Sequence, residues 1–362
     1  MTPPGRWTSC VAHFDDNVRS FISEYFISDR KVLFIAGAGF DPRSTAVGRL
    51  LANSKAILES LLIQEIRPNP HNELLSRANT NAEVLSRLIA NHKILPIDIF
   101  DSDNAVIGGR NVVKAISLQP YESITDIVVD ISALSVGISF PILRYLIQRF
   151  SGNGSKINVH VFVSHNPIID EAIRPIAGDT PGFVHGFRGL WALDSKASAA
   201  KLWLPQLARG RTTTLQRLFD FISPHDTCPI LPFPALNPRL GDELAEHFLT
   251  EMENTWEVDT RNIIYASEDD PLDLYRTILR MEDPRREVFS ETGGSLLVLS
   301  PMGSKVMALG ALLAALERNL PVAHLEPIGY ELDTSIATAN LEPKMVHVWL
   351  EGDIYLSRAT GI

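Results

Sequence analysis

The strongest constraint on this chain is a rhythm. Short apolar runs of strand length alternate with longer segments of helical period along most of its 362 residues, the pattern imposed by a mainly parallel sheet flanked by helices. In the first half the expected strands are "KVLFIAG" (31–37), "SLLIQEI" (60–66), "KILPIDI" (93–99), "TDIVVDIS" (125–132) and "INVHVFVS" (157–164). Helices are expected over 44–58, 72–91, 104–116 and 139–150. From 175 to 227 the rhythm blurs: "GDTPGFVHGFRG" reads as loop and "KASAAKLWLPQLARGRTTTLQRLFDFI" as one or two helices. It then resumes with strands at "CPILPF", "NIIYAS", "GSLLVLS", "PVAHLEP" and "MVHVWLEGD", and with helices over 241–255, "PLDLYRTILRM" and "KVMALGALLAALERN".

The expectation is an α/β, Rossmann-like chain in two α/β halves. An N-terminal lobe covers 1–195, and a C-terminal lobe with the linking helices covers 196–362. Whether the halves share one sheet is open at this point, as is a homo-oligomeric state. An apolar fraction of 45% supports a substantial core. The formal net charge of −10 opposes the basic footprint needed for direct binding to polymeric nucleic acid, whereas a nucleotide-sized ligand needs only a local patch. Cys10 and Cys228 stand in unrelated segments without metal-type spacing, so they read as free thiols of a reducing, cytoplasmic compartment. No apolar run approaches the roughly 18 residues of a membrane span.

In an open α/β sheet the ligand crevice lies outside the carboxyl ends of the strands, so the loops that leave those ends are where chemistry is expected. The first is "GAGFDPRST". Gly37 and Gly39 permit a sharp turn and a close approach, Phe40 and Arg43 follow, and Asp41 can orient a sugar or pair with Arg43. Pro42 stands where the third glycine of a dinucleotide fingerprint would be. In "SPMGSKVMALG", Gly303, Ser304 and Lys305 offer a flexible turn, a helix cap and a cation. "VSHNPIIDEAI" places Ser164, His165 and Asn166 on the same rim, and "FVHGF" adds His185. "DISALSVGISF" brings Asp130 and Ser132 out of an apolar strand, where a carboxylate needs a ligand or a local partner. "YASEDDPLDLYR" groups Glu268, Asp269 and Asp270 before Pro271, a helix-capping arrangement first and a Mg²⁺ site only as an alternative, so no metal is assigned. In "EPIGYE", Tyr330 offers a ring on which a base can stack.

Two resemblances follow from these segments. The strand, Gly-Ser-Lys turn and "VMALGALLAAL" of about residues 293–330 resemble the Gly-Thr-Lys-Pro-Met segment of CARF domains, Rossmann-like sensors of cyclic oligoadenylate in CRISPR systems. That resemblance implies Ser304 and Lys305 near a nucleotide backbone. The Gly-Ala-Gly turn, the "SHNPIID" segment and the His-Gly pair, in that order, are similar to Sir2-type NAD-consuming proteins. This implies NAD contacts at Gly37, Ala38, Gly39 and Asn166, extending to Asp170, with His185 as general base.

The leading expectation is recognition of a nucleotide-type small molecule, NAD or another adenine nucleotide, by the 37–43 and 303–305 loops. The resemblances add a sensor or effector role in prokaryotic antiviral defence. Whether the ligand is cleaved stays open: an NAD glycohydrolase or nucleotide hydrolase would use His165 or His185 as base and Asp41 or Asp130 to orient the sugar. The rival reading is a non-catalytic scaffold or adaptor that binds a protein partner in a defence complex. An NAD(P)-dependent oxidoreductase ranks lower, because Glu65 is followed by Ile66 and Arg67 and does not close its strand as that fingerprint requires.

Overall fold

A computed structural model describes residues 5–152, 156–189, 199–291, 293–334 and 343–355. The chain is α/β, and by contacts it divides into two units. One holds Met1–Ser9 and Arg174–Ile328, the other Cys10–Ile173 and Gly329–Ile362. The expected division at 195/196 falls within 190–198, outside the described residues.

The unit of Cys10–Ile173 and Gly329–Ile362 is built on one sheet. Its elements run β1 (Ala12–Phe14), α1 (Asp16–Tyr25), β2 (Lys31–Gly37), α2 (Ala46–Ala52), β3 (Ile57–Ile66), α3 (Asn72–Leu88), β4 (His92–Asp98), α4 (Gly108–Ser117), β5 (Asp126–Asp130), α5 (Val136–Phe150), β6 (Asn158–His165) and α6 (Pro167–Ala172), with the C-terminal strand Lys344–Glu351 added last. The spatial order is β1, C-terminal strand, β6, β5, β2, β3, β4. The five strands β2 to β6 pair in parallel, and the C-terminal strand runs antiparallel to both β6 and β1. From β2 the chain steps outward through β3 to β4, then returns to the other side of β2 as β5. That reversal creates a topological switch point between the carboxyl ends of β2 and β5, the position where open α/β sheets take their ligands.

The register sorts side chains between the two faces. Phe34 opposes Val128, Val128 opposes His160, and His347 opposes Phe162. Val32, Phe34, Ala36, Val128, Phe162 and Met345 therefore lie on one face, where they form a core with Val18, Ile22 and Phe26 and with Val47 and Leu51 of α2. Burial on both faces explains why β5 and β6 read as near-continuous apolar runs.

The other unit has a three-stranded parallel sheet with Ala200–Pro205 between Asp226–Thr227 and Ser295–Ser300. A second parallel pair joins Ile230–Pro232 to Ile264–Ala266. Helices cover Thr212–Ile222, Leu240–His247, Pro271–Val288 and Lys305–Arg318. "KLWLP" was expected in a helix and is instead the central strand of that sheet, with Leu202, Trp203 and Leu204 buried. Ala-rich sequence before it favours helix locally, but two parallel neighbours satisfy its backbone as a strand. No helix of the described residues is long and apolar enough to cross a membrane.

Candidate functional site

At the end of β2 the backbone turns inside a crowded space. A Cβ on Gly37 would lie 2.8 Å from the Ala133 carbonyl oxygen, whereas one on Gly39 would lie 3.6 Å from it. Glycine at 37 thus lets the β5 loop close over β2, and the tight approach is to protein. The turn continues into a 3₁₀ segment, Pro42–Thr45, and α2 that follows has only seven residues. Asn81 of α3 ties the turn down, its Nδ2 donating to the carbonyl oxygens of Gly39 (2.8 Å) and Asp41 (3.1 Å).

Asp41 and Arg43 both face inward. Asp41 Oδ1 accepts from the Arg43 backbone N–H (2.9 Å) and Nε (3.0 Å), and Oδ2 accepts from Nη2 at 2.7 Å. Arg43 Nη1 donates to Asp170 Oδ1 at 2.7 Å, and the other oxygen of Asp170 lies 3.5 Å from His165 Nδ1. One buried guanidinium therefore sits between two carboxylates, a geometry that suits its planar fork. Burial pushes the Asp170 carboxyl up, but Arg43 and His165 outweigh it and hold it at about 2. Burial also works against the Arg43 charge, which the two carboxylates more than restore. Asn166 caps α6 through Oδ1, which accepts from the N–H groups of Ile168 (3.0 Å) and Ile169 (3.3 Å).

Asp130 is different. It ends β5 beside Ala36 of β2, at the switch point, and is 1% exposed. Its Oδ1 accepts from the Ser132 N–H (2.9 Å) and the Ser132 hydroxyl, and that hydroxyl accepts from Ser164 N–H at 2.7 Å. Its Oδ2 is buried without a hydrogen-bond partner, as are the hydroxyls of Ser44, Ser135 and Ser164. Burial pushes the Asp130 carboxyl up, the Ser132 hydrogen bonds oppose that, and the nearby Asp41 charge adds to it; the result is about 7. At neutral pH this group can donate or accept a proton, as an acid–base residue or hydroxyl-binding residue must.

Around this pair of loops lies a partly exposed ring assembly. Phe40 and Tyr330 have centroids 5.3 Å apart, and the Arg67 guanidinium lies 5.2 Å from the Tyr330 centroid. Arg67 Nη2 donates to Glu65 Oε2 at 2.8 Å, while Glu65 Oε1 accepts from Ser135 N–H at 2.7 Å. Glu65, Arg67 and Tyr330 thereby link the end of β3 to the loop after β5. Neither Arg67 nor Asn81 was singled out for the site by sequence reasoning. The capping patterns were local signals, but these contacts span loops far apart in the chain.

The expected residues thus separate. Gly37, Gly39, Phe40, Asp41, Arg43, Asp130, Ser132, His165 and Asn166 share one unit and one end of its sheet; His185, Gly303, Ser304 and Lys305 belong to the other unit. In that unit Ser304 Oγ caps the helix Lys305–Arg318 by accepting from Met307 N–H (3.3 Å), and Gly303 N–H donates to Gln206 Oε1 at 3.2 Å. His185 lies exposed in a turn. The acids before Pro271 serve local geometry: Asp270 Oδ1 accepts from Leu272 N–H (2.9 Å) and Glu268 Oε2 from Leu236 N–H (2.9 Å).

No protein-family model matches the chain, and no curated protein matches it. Among solved structures it is similar to a trans-2-enoyl-CoA reductase from Clostridium acetobutulicum in complex with NADH, at 12% identity and a TM-score of 0.20, over 76% of this chain and 69% of that one. A glycosyltransferase from Rickettsia africae ESF-5 is similar at 11% identity and a TM-score of 0.17, over 77% of this chain and 81% of that one. Likenesses this slight carry no argument, and the site is read from its own geometry.

Proposed function

We propose that the switch-point end of the β2–β6 sheet binds a nucleotide-type small molecule, with a sugar hydroxyl on Asp130 and a base against the Phe40 and Tyr330 rings. The observation that carries this reading is Asp130 Oδ2, a buried carboxyl oxygen without a hydrogen-bond partner at the switch point, where such a group is costly unless something meets it. The half-buried rings supply a π face of the kind that bases stack on. Because α2 is short and follows a 3₁₀ turn, the phosphates are not assigned to its N-terminus. The Sir2-type resemblance, whose Gly-Ala-Gly turn and Asn166 lie at this end of the sheet, extends the proposal to NAD as ligand and to a role in antiviral defence; the CARF-type resemblance concerns Ser304 and Lys305 of the other unit and does not bear on this site.

Titration calorimetry with NAD, ATP, ADP-ribose and a cyclic oligoadenylate tests this. At pH 7 the heat of the binding ligand is expected to vary with the ionisation enthalpy of the buffer, because Asp130 titrates at about 7 and a bound hydroxyl changes its protonation. Asp130→Asn removes that dependence, and Tyr330→Ala weakens binding about tenfold, since one base stack contributes roughly 1–3 kcal/mol. No heat from any of the four at millimolar concentration, a buffer dependence that persists in Asp130→Asn, or wild-type affinity in Tyr330→Ala refutes the reading.

A hydrolytic version rests on one further observation, the Asp170 carboxylate 3.5 Å from His165 Nδ1, an arrangement that orients an imidazole. Release of nicotinamide or phosphate is its readout. Turnover unchanged in His165→Ala removes this version; His185, in the other unit, is not placed at this site.

A further inference from the structure

Well away from the switch point, a chain of imidazoles links a surface cleft to a buried carboxylate. Asp126, at the amino end of β5, is fully buried. Its Oδ1 accepts from Tyr25 Oη–H at 2.8 Å and lies 3.3 Å from His160 Nε2. Its Oδ2 accepts from the Thr125 hydroxyl at 2.6 Å and lies 3.7 Å from Arg30 Nη1. His160 Nδ1 is 3.0 Å from His347 Nε2, and His347 Nδ1 is 2.9 Å from His13 Nδ1. The three rings come from β6, the C-terminal strand and β1, which lie side by side in the sheet.

Hydrogen-bond bookkeeping gives this chain one direction. An ionised carboxylate only accepts, so the proton of His160 is on Nε2. A neutral imidazole has a single N–H, so His160 Nδ1 accepts and His347 Nε2 donates. His347 Nδ1 must then accept, His13 Nδ1 donates, and the lone pair is left on His13 Nε2. Burial lowers the proton affinity of His160 and of His347, keeping both rings neutral, while the hydrogen bond from His160 helps hold Asp126 ionised against its own burial. Each donated proton polarises the next ring, so part of the Asp126 charge is felt at His13.

His13 lines an open cleft of about 440 Å³ whose other walls are Asn17, Ser20, Phe21, Glu24 and Tyr25, at helical spacing along one face of α1. The His13 ring stacks on Phe21 with centroids 4.5 Å apart. We propose that this cleft binds a small organic cation bearing N–H groups, an ammonium or guanidinium. The ligand N–H donates to His13 Nε2, and the Glu24 carboxylate supplies the countercharge. An anion would meet a lone pair and a carboxylate in the same space.

Long-range ¹⁵N–¹H spectra of the full chain at pH 7.5 test the direction of the relay. His13 is expected as the Nδ1–H tautomer, and His160 and His347 as the Nε2–H tautomer. Titration with methylguanidinium chloride is expected to shift His13 Nε2 saturably, with N-methylurea and acetate leaving it unmoved. Glu24→Gln, at an exposed position, should weaken methylguanidinium binding about tenfold. Asp126→Asn keeps every residue of the cleft wall, Tyr25 included, but removes the negative charge that the relay carries to His13, and it should weaken binding similarly. If that variant does not fold, the native tautomers and Glu24→Gln decide alone. Native His13 in the Nε2–H form, or methylguanidinium affinity unchanged in Glu24→Gln, overturns the proposal.

Discussion

Acid should destabilise the β2–β6 sheet through His347 and His160 while Asp130 works against that loss. A histidine whose folded pKa is depressed contributes stability that is lost as pH falls through its unfolded value of 6.5, because the unfolded chain takes up the proton first. Between pH 7.5 and 5.5 the linkage relation gives about 1.4 kcal/mol of loss for a ring that stays neutral in the fold. His347, whose burial beside His160 and His13 keeps it neutral far into acid, should show the whole of this, and His160 at most the same. Asp130 has the opposite sign. Its folded value of about 7 stands above the unfolded 3.8, so the fold gains about 2 kcal/mol over the same interval. Asp126, held below 3.8, loses its contribution only at lower pH. The near-cancellation means that wild type alone is uninformative, and the differences between variants carry the test. Global-opening hydrogen exchange of β6 amides, followed against urea, gives the free energy at each pH. From pH 7.5 to 5.5, His347→Gln should lose about 1.4 kcal/mol less than wild type, and Asp130→Asn about 2 kcal/mol more. Equal pH dependence in wild type and His347→Gln would refute the assignment of a neutral buried ring, and equal dependence in Asp130→Asn would refute the raised carboxyl.

Three further outcomes follow from the loops. Gly37→Ala should destabilise by roughly 1–3 kcal/mol through its clash with the Ala133 carbonyl, while Gly39→Ala stays within about 0.5 kcal/mol; urea midpoints compare them. Arg43→Met leaves buried Asp41 and half-buried Asp170 without their cation and should cost about 3 kcal/mol in the same assay. Ser304→Ala removes a helix cap, and an expected loss of about 0.5–2 kcal/mol should appear as faster exchange in the first turn of Lys305–Arg318, with nucleotide binding at the other unit unchanged.

Periodicity made the parallel strands legible, and β2 runs over Lys31–Gly37 as expected because its apolar run and its Gly-Ala-Gly end coincide. The pairing of Asp41 with Arg43 was also readable, being two residues apart. The contact of Arg43 with Asp170 was not, since it joins the loop after β2 to α6 and depends on the strand order. The helix expected over 44–58 shrinks to Ala46–Ala52, because β3 already begins at Ile57, paired with Lys31 at the start of β2. Least legible of all was the histidine relay: His13 and His347 meet only because the C-terminal strand is laid between β1 and β6, and no local pattern announces that.

That late strand also sets an order of events during synthesis. β6 is complete at His165, but its antiparallel neighbour begins only at Lys344, and the intervening chain includes the whole segment Arg174–Ile328 of the other unit. At ribosomal speeds of about 5–20 residues per second, the gap is roughly 10–35 s. Throughout it β6 presents an unpaired edge, and β1, whose pairing partner is that same strand, waits without a place in the sheet. A nascent or truncated chain that stops short of residue 344 therefore exposes a buried-type apolar edge of the kind that recruits other strands, which makes the final segment the step that closes the molecule to aggregation.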